Sequence, residues 1–132
     1  SKELEALVET EIVTKGNALS ETETVTTNDY VFLLSKDELL WFEESDISLY
    51  ASPTEAALEQ DASNWFDVHF SVYEDNNYFW WLREPVEGSS SQCYMVNNGY
   101  TQEMFTTANV GTEGFGIRPA IVVNLEADIF QE

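Results

Sequence analysis

The stretch that most restricts the fold consists of Tyr78, Phe79, Trp80, Trp81 and Leu82. Aromatic residues favour β-strands, and successive side chains of a strand point to opposite faces. The first, third and fifth side chains of this stretch therefore share one face, and the other two share the opposite face. Both faces are apolar, which is typical of a strand that is covered on both sides. Any fold of this chain has to supply apolar layers for this strand.

Two segments further along the chain also carry strand signals. Asn98-Gly99 lies between residues 92–97 and 100–105, and both turn residues tolerate the positive φ of a tight turn, so a two-residue hairpin is predicted there. Residues 115–125 are predicted to form the final strand. Pro119 cannot donate to a β-ladder, so it places that part of the strand at an edge or a bulge. The expected apolar face of this strand consists of Ile117, Ile121, Val123 and Leu125.

The segments before the aromatic strand are predicted to mix helices and strands. The spacing of apolar residues from Leu4 to Ile12 predicts a short amphipathic helix at the N-terminus. Residues 20–27 are polar and rich in threonine, which is typical of a loop or a weak strand. Residues 29–34 are predicted to form a buried strand.

Two helix starts are predicted from their caps. Ser35 and Glu38 have the spacing of a capping box, in which each side chain accepts a hydrogen bond from a backbone amide of the other residue. Ser52 and Glu55 repeat that spacing, with Pro53 at the first helical position, where a missing N–H costs nothing. We interpret both boxes as structural features.

Length and composition predict one domain, residues 1–132. The sequence has 25 acidic and 5 basic residues, and its net charge is −20. This charge repels phosphate backbones and anionic lipids, so no nucleic-acid binding is expected. No run approaches the roughly 20 apolar residues that cross a bilayer, so no membrane insertion is expected either. Cys93 is the only cysteine and is predicted to be a buried strand residue, because no basic neighbour in sequence would activate it.

Several motifs in the same order make the sequence similar to a bacterial family of domains of unknown function. That family has a strand ending VFLLS, an ASPT helix start, WWLRSPG, a serine-rich hairpin with a VN…G turn, and G-V-R-P-A near its end. The matching residues here are 31–35, 51–54, 80–83, 89–91, 96–99 and 116–120. The resemblance covers residues 26–125 approximately.

This family in turn resembles the C-type-lectin and formylglycine-generating-enzyme (sulfatase-modifying-factor) folds. The resemblance implies an α+β fold that has a twisted antiparallel sheet with two or three short helices and long loops, and it implies that the loops supply the binding surface. It also favours an extracellular or cell-surface location.

The chain departs from the family pattern in two places. Glu84-Pro85-Val86 stands where the family has Ser-Pro-Gly. The family also has strands before the first helix, whereas this chain is predicted to begin with that helix and so to lack them. In lectin-like folds the two terminal strands pair, so residues 115–125 are expected to lack a neighbour and to pair with a second copy or a partner chain.

No residue is singled out as catalytic. Asp67, His69 and Ser71 alternate on one predicted strand, but neighbours on one face lie about 7 Å apart, which is too long for a catalytic triad. The lone cysteine cannot supply the paired cysteines of the formylglycine-generating enzymes. No cofactor is expected, except that Asp61, Asp67 and Asp75 are weak candidates for calcium ligands.

Arg83 and Arg118 are scarce cations in predicted strands, and we interpret both as structural anchors paired with carboxylates, with binding of a ligand carboxylate as the alternative. Trp80 and Trp81 are interpreted as structural anchors of the core. Trp41 and Trp65 are also assigned to the core, although Trp65 is the better surface candidate of the two.

The resemblance favours a non-catalytic domain of a bacterial or phage surface protein, which recognises a protein or carbohydrate through residues 64–77 and 86–91. Two alternatives stay open: an assembly module that acts through an exposed sheet edge, and a hydrolase that uses acidic groups of residues 61–75. The candidate ligand-binding residues are Trp65, Asp67, His69, Tyr73, Asp75, Asn77 and Glu84.

Overall fold

The computed structural model describes residues 1–17, 20–59, 78–97, 104–112 and 114–131. In these ranges the chain is a mixed α/β protein with few helices and mostly antiparallel strands. The helices are α1 (Lys2–Glu5), α2 (Lys36–Glu44) and α3 (Glu55–Glu59), with a 3-10 turn at Asp128–Phe130. The strands are β1 (Leu7–Val8), β2 (Thr10–Asn17), β3 (Ser20–Asp29), β4 (Phe32–Leu33), β5 (Trp80–Pro85), β6 (Gln92–Val96), β7 (Phe105–Asn109), β8 (Pro119–Ala120) and β9 (Val122–Val123).

The predicted N-terminal helix is wrong, because only Lys2–Glu5 is helical. β2 and β3 form an antiparallel pair in which Ile12 lies opposite Thr27, so residues 20–27 belong to a strand rather than a loop. The segment is rich in valine, isoleucine and threonine, whose branched side chains favour extended backbone. Backbone pairing over the length of β2 outweighs a helical spacing that only a few apolar residues support.

The terminal strand has a partner within the chain. β9 pairs antiparallel with β1, with Val123 opposite Leu7, so the premise for a homodimer through this strand is wrong. Of the strand predicted at residues 115–125, only β8 and β9 form. β8 pairs with β4. β4 is all that forms of the buried strand predicted at residues 29–34. A proline in β8 interrupts the ladder. The apolar face expected there is also wrong, because Ile117 is 70% exposed and Leu125 is 69% exposed.

The aromatic strand forms as predicted and lies at one edge of the sheet β5-β6-β7. Side chains alternate along it, and Trp80 and Leu82 are buried on one face. Trp81 packs on the other face, edge-on against Phe115 at 5.3 Å between ring centroids. The predicted two-residue connection between β6 and β7 is wrong, because the Asn97 amide donates to the Met104 carbonyl and six residues therefore lie between the paired positions. The predicted turn residues fall in 98–103, outside the described residues.

A helix follows each of the two predicted caps, but only the first cap is the predicted one. The capping box of α2 is confirmed: the Glu38 amide donates to Ser35 Oγ, and the Ser35 amide donates to Glu38 Oε2. The cap of α3 is Thr54 rather than Ser52, because Thr54 Oγ1 accepts the Ala57 amide. Pro53 therefore precedes the helix and does not occupy its first turn.

The core lies between α2 and the inner face of the β5-β6-β7 sheet. Partly buried apolar residues of β7 and of the segments beside α2 pack around it. The buried members of this cluster are Leu39, Leu49, Trp80, Leu82 and Val96. α2 thus contributes one fully enclosed side chain, while its outer face stays exposed.

Leu39→Ala should lower the free energy of unfolding by about 3 kcal/mol, because truncation of a fully buried leucine leaves a cavity. Leu40→Ala is a matched control on the same helix, where the side chain is 44% exposed, and it should change stability by less than about 0.5 kcal/mol. Urea denaturation followed by tryptophan fluorescence measures both. Equal losses in the two variants would contradict the assignment of the inner face of α2.

Candidate functional site

The Arg83 side chain connects β5 to three other segments. Nη1 donates to Glu38 Oε2 at 2.6 Å and to the Leu33 carbonyl at 2.9 Å. Nη2 donates to Glu38 Oε1 at 2.9 Å and to the Val13 carbonyl at 3.2 Å. The arginine side chain is only 13% exposed, and the pair with Glu38 is bidentate, which is the strong geometry for arginine and carboxylate. Arg83 therefore has the carboxylate partner that the sequence analysis expected.

The environment of Glu38 lowers its pKa. Burial alone would raise the pKa of this carboxyl, but hydrogen bonds from Arg83 and from the Ser35 amide, together with the Arg83 charge, outweigh burial. The net pKa lies below the ordinary value of 4.5. Glu38 thus stays ionised at neutral pH and serves the helix cap and the arginine at the same time.

A polar cleft of about 240 Å³ lies beside this junction, where β2, the start of α2 and β6 meet. Glu84, a candidate ligand-binding residue, lines this cleft but is 7% exposed. Its Oε2 accepts the Lys36 amide at 2.6 Å, so the carboxylate binds the first turn of α2. Lys36 Nζ lies 3.5 Å from the centroid of the Tyr94 ring, and Lys15 pairs with Asp37. The polar side chains that line this cleft thus contact other parts of the protein and connect neighbouring segments of the fold.

A second cleft, here called the Trp80 cleft, has a volume of about 280 Å³ and a mostly apolar lining. One wall comes from the segment before α3 and from Ala57 within it. The other wall comes from the start of β5 and from the segment that carries Arg118. Its lining consists of residues 51–54, Ala57, residues 78–80 and residues 116–119.

Backbone pairing holds the two arms of the second wall together. The Gly116 amide donates to the Phe79 carbonyl at 2.8 Å, and the Trp81 amide donates to the Gly116 carbonyl at 3.0 Å. A Cβ at position 116 would lie 3.3 Å from the Phe79 carbonyl oxygen, which is tighter than most contacts of this kind. Glycine at this position therefore permits the close approach of the two backbones.

Arg118 is held differently from Arg83. Its Nη1 donates to the Leu49 carbonyl at 3.1 Å, and the Trp80 indole donates to the same oxygen at 3.2 Å. The guanidinium carbon lies 5.3 Å from the centroid of the Trp80 ring, which is a cation–π distance. Among the described residues no carboxylate lies within ion-pair distance of Arg118, so the carboxylate partner expected for it is not found there.

Most of the predicted site residues cannot be placed. Trp65, Asp67, His69, Tyr73 and the other acidic and amide candidates from Asp61 to Asn77 lie in residues 60–77, outside the described ranges. In the part of the chain that the structure does describe, no cluster of histidine, cysteine or carboxylate side chains could hold a metal ion. The calcium prediction therefore stays a prediction.

Other side chains differ in how well they match their predicted environment. Trp80 is buried, but Trp41 is 68% exposed on α2, so its assignment to the core is wrong. Cys93 lies in β6 as predicted, although it is half-buried rather than buried. Its partial burial raises the pKa of its thiol, which disfavours the reactive thiolate.

Sequence reasoning missed the Trp80 cleft, although it used the motifs that line it. Pro53 was interpreted only as part of a helix start, and Ile117 was assigned to the apolar face of a strand. The available signal was the joint presence of the ASPT, WWLR and G-I-R-P segments. Each segment contributes to the lining, but nothing in the sequence shows that they meet.

Glu38→Gln should lower the free energy of unfolding by about 1–2 kcal/mol at pH 7, because it removes the negative charge that pairs with Arg83. Glutamine keeps an acceptor for the capping box, so the decrease in the free energy of unfolding reports mainly on the ion pair. Asp37→Asn is the matched control, since it removes an equal charge from the same helix turn but from an exposed pair with Lys15. Thermal and urea unfolding should show a clear loss for the first variant and little change for the second.

The difference between wild type and Glu38→Gln should also depend on pH. Because the pKa of Glu38 is lowered on folding, its carboxylate stabilises the fold fully above its ordinary pKa of 4.5, and this contribution is lost as the pH falls through the folded-state pKa. Unfolding measured from pH 7 down to about pH 3 should show the two proteins converging at acidic pH. A difference that stays constant over this range would contradict the role of the charge.

No helix within the described ranges is both long and apolar enough to cross a membrane. Comparison with curated proteins and with solved structures finds no match for the chain. Residues 1–125 match the family described as "Domain of unknown function (DUF6273)". This match spans nearly the whole sequence, so the chain belongs to the DUF6273 family.

Proposed function

We propose that this protein is a non-catalytic binding domain with a C-type-lectin-like arrangement, which recognises its ligand through the Trp80 cleft and through residues 64–77. The observation that carries the proposal is the position of the cleft. Ala57, near the C-terminal end of α3, and Tyr78, the first described residue after residues 60–77, both line it. The cleft is therefore lined by described residues that are close in sequence to both ends of a segment containing most of the candidate ligand-binding residues.

Three features of the topology support a lectin-like arrangement. The N-terminal and C-terminal segments pair through β1 and β9. Two helices, α2 and α3, precede the main antiparallel sheet in sequence. The order of the VFLLS, ASPT, WWLR and G-I-R-P-A segments agrees with the family pattern described above. In folds of this type the loops present the ligand site, and the resemblance extends the proposal to a surface or secreted protein of a bacterium or phage.

The chemistry of the cleft favours binding over catalysis. The described residues that line it include the hydroxyl groups of Ser52, Thr54 and Tyr78, but no carboxylate, histidine or lysine that could act as a general base toward them. Its apolar side chains include Ile117, which is 70% exposed and therefore accessible to a ligand. The volume of about 280 Å³ is at the lower end for small-molecule sites.

Small apolar probes should bind in the Trp80 cleft with dissociation constants of about 1 mM or weaker, as expected for fragments of about ten heavy atoms. Indole, benzyl alcohol and phenylacetamide are suitable probes because they are neutral. Protein-observed NMR should show shifts of the Trp80 indole N–H and of the Ile117 amide on titration.

Ala57→Trp should abolish these shifts, because the new side chain would occupy the cleft that Ala57 lines. Ala56→Trp is the matched control: Ala56 is the preceding residue on α3 and is also exposed, but it does not line the cleft. Binding that survives Ala57→Trp, or shifts that cluster elsewhere, would overturn the cleft as the binding site.

A further inference from the structure

We propose that the Trp80 cleft selects monovalent organic acids, with an apolar body in the cleft and a carboxylate on Arg118. This proposal rests on the proposed function, since it assigns a ligand class to the same cleft. The shared chemistry is one carboxylate next to an apolar group, whether it belongs to a free small acid or to the C-terminus of a peptide.

The first argument is the unusual position of the Arg118 charge. The chain has 25 acidic and only 5 basic residues, so a cation has many possible partners. Arg83 illustrates the usual outcome, with a bidentate carboxylate at 2.6 and 2.9 Å. Arg118 instead lines an apolar cleft, and among the described residues its one hydrogen-bond acceptor is a backbone carbonyl. Its charge is therefore not neutralised by the described part of the protein.

The second argument is that Arg118 is fixed in place before any ligand binds. The Leu49 carbonyl oxygen accepts a hydrogen bond from Arg118 Nη1, and the guanidinium carbon lies over the Trp80 ring, 5.3 Å from its centroid. Trp80 is 3% exposed and is bonded to the same carbonyl, so the platform under the guanidinium belongs to the core. A guanidinium has five N–H donors, and one bond to Leu49 leaves donors for a carboxylate. A site fixed in this way loses little conformational entropy on binding.

The third argument selects the class of anion. The apolar lining disfavours a polyhydroxylated sugar, whose hydroxyl groups would be left without partners on burial. The net charge of −20 repels a divalent phosphate more strongly than a monovalent carboxylate. A carboxylate also matches the planar fork of an arginine. Together these points favour an acid with one charge and an aromatic or aliphatic body.

Phenylacetate and phenylacetamide test this assignment, because they have nearly the same shape and differ in charge. The acid should bind at least about tenfold more tightly than the amide in an NMR titration at pH 7. Arg118→Gln should reduce the affinity for the acid to that for the amide and leave the amide unchanged. Arg118→Lys should retain part of the preference, since it keeps the charge but loses the planar fork.

The two sources of the carboxylate are separated by a second pair of probes, the peptide Gly-Gly-Gly-Phe and its C-terminal amide. Preference for the free peptide acid would assign the site to peptide C-termini, whereas binding of phenylacetate alone would assign it to small acids. Equal affinities of wild type for acid and amide would overturn the inference even if Arg118→Gln does not fold. If neither acid nor amide binds, the proposed function fails as well, so the two failures are distinguishable.

Discussion

The described fold depends most on the Arg83 guanidinium, because one planar group connects four segments of the chain. It reaches Glu38 on α2, the Leu33 carbonyl on β4 and the Val13 carbonyl on β2, while its own backbone belongs to β5. β2 has one buried hydrophobic side chain, Ile12, among its described residues, and the bond to Val13 adds a direct contact between β2 and β5. A lysine has no planar fork and could not make this set of contacts.

Local rules predicted the parts of this fold that depend on neighbouring residues. The capping box of Ser35 and Glu38 and the alternating burial of Trp80 and Leu82 need only sequence spacing, and both are present. The main errors concern which strands pair with each other. The N-terminal segment is extended because β3 and β9 pair with it, and the predicted C-terminal strand is divided because β8 and β9 have different partners. A single sequence does not reveal these partners, and tertiary pairing outweighs local periodicity.

The candidate site was less predictable than the fold for a related reason. Reasoning from residue type pointed to the acidic and aromatic residues after Asp61, because carboxylates and exposed rings are recognisable one by one. The Trp80 cleft has no such marker, since proline, alanine and isoleucine indicate packing when they are considered singly. Of the residues that line it, Trp80 and Arg118 are interpreted from the sequence as structural anchors, and binding of a ligand carboxylate is the alternative for Arg118. The geometry places it beside Trp80 and the Leu49 carbonyl, which no spacing rule would suggest.

The core and the Trp80 cleft share side chains and hydrogen bonds. The Leu49 carbonyl accepts hydrogen bonds from both Trp80 and Arg118, and Leu49 itself belongs to the buried cluster around Leu39. Packing of the core therefore fixes the position of the cation, and the Gly116 backbone pairing fixes the wall that carries it. In a protein with a strongly negative charge, such a rigid cation without a carboxylate neighbour among the described residues supports the proposed selectivity, because most anions would be repelled and only a ligand that also buries apolar surface would gain enough to bind.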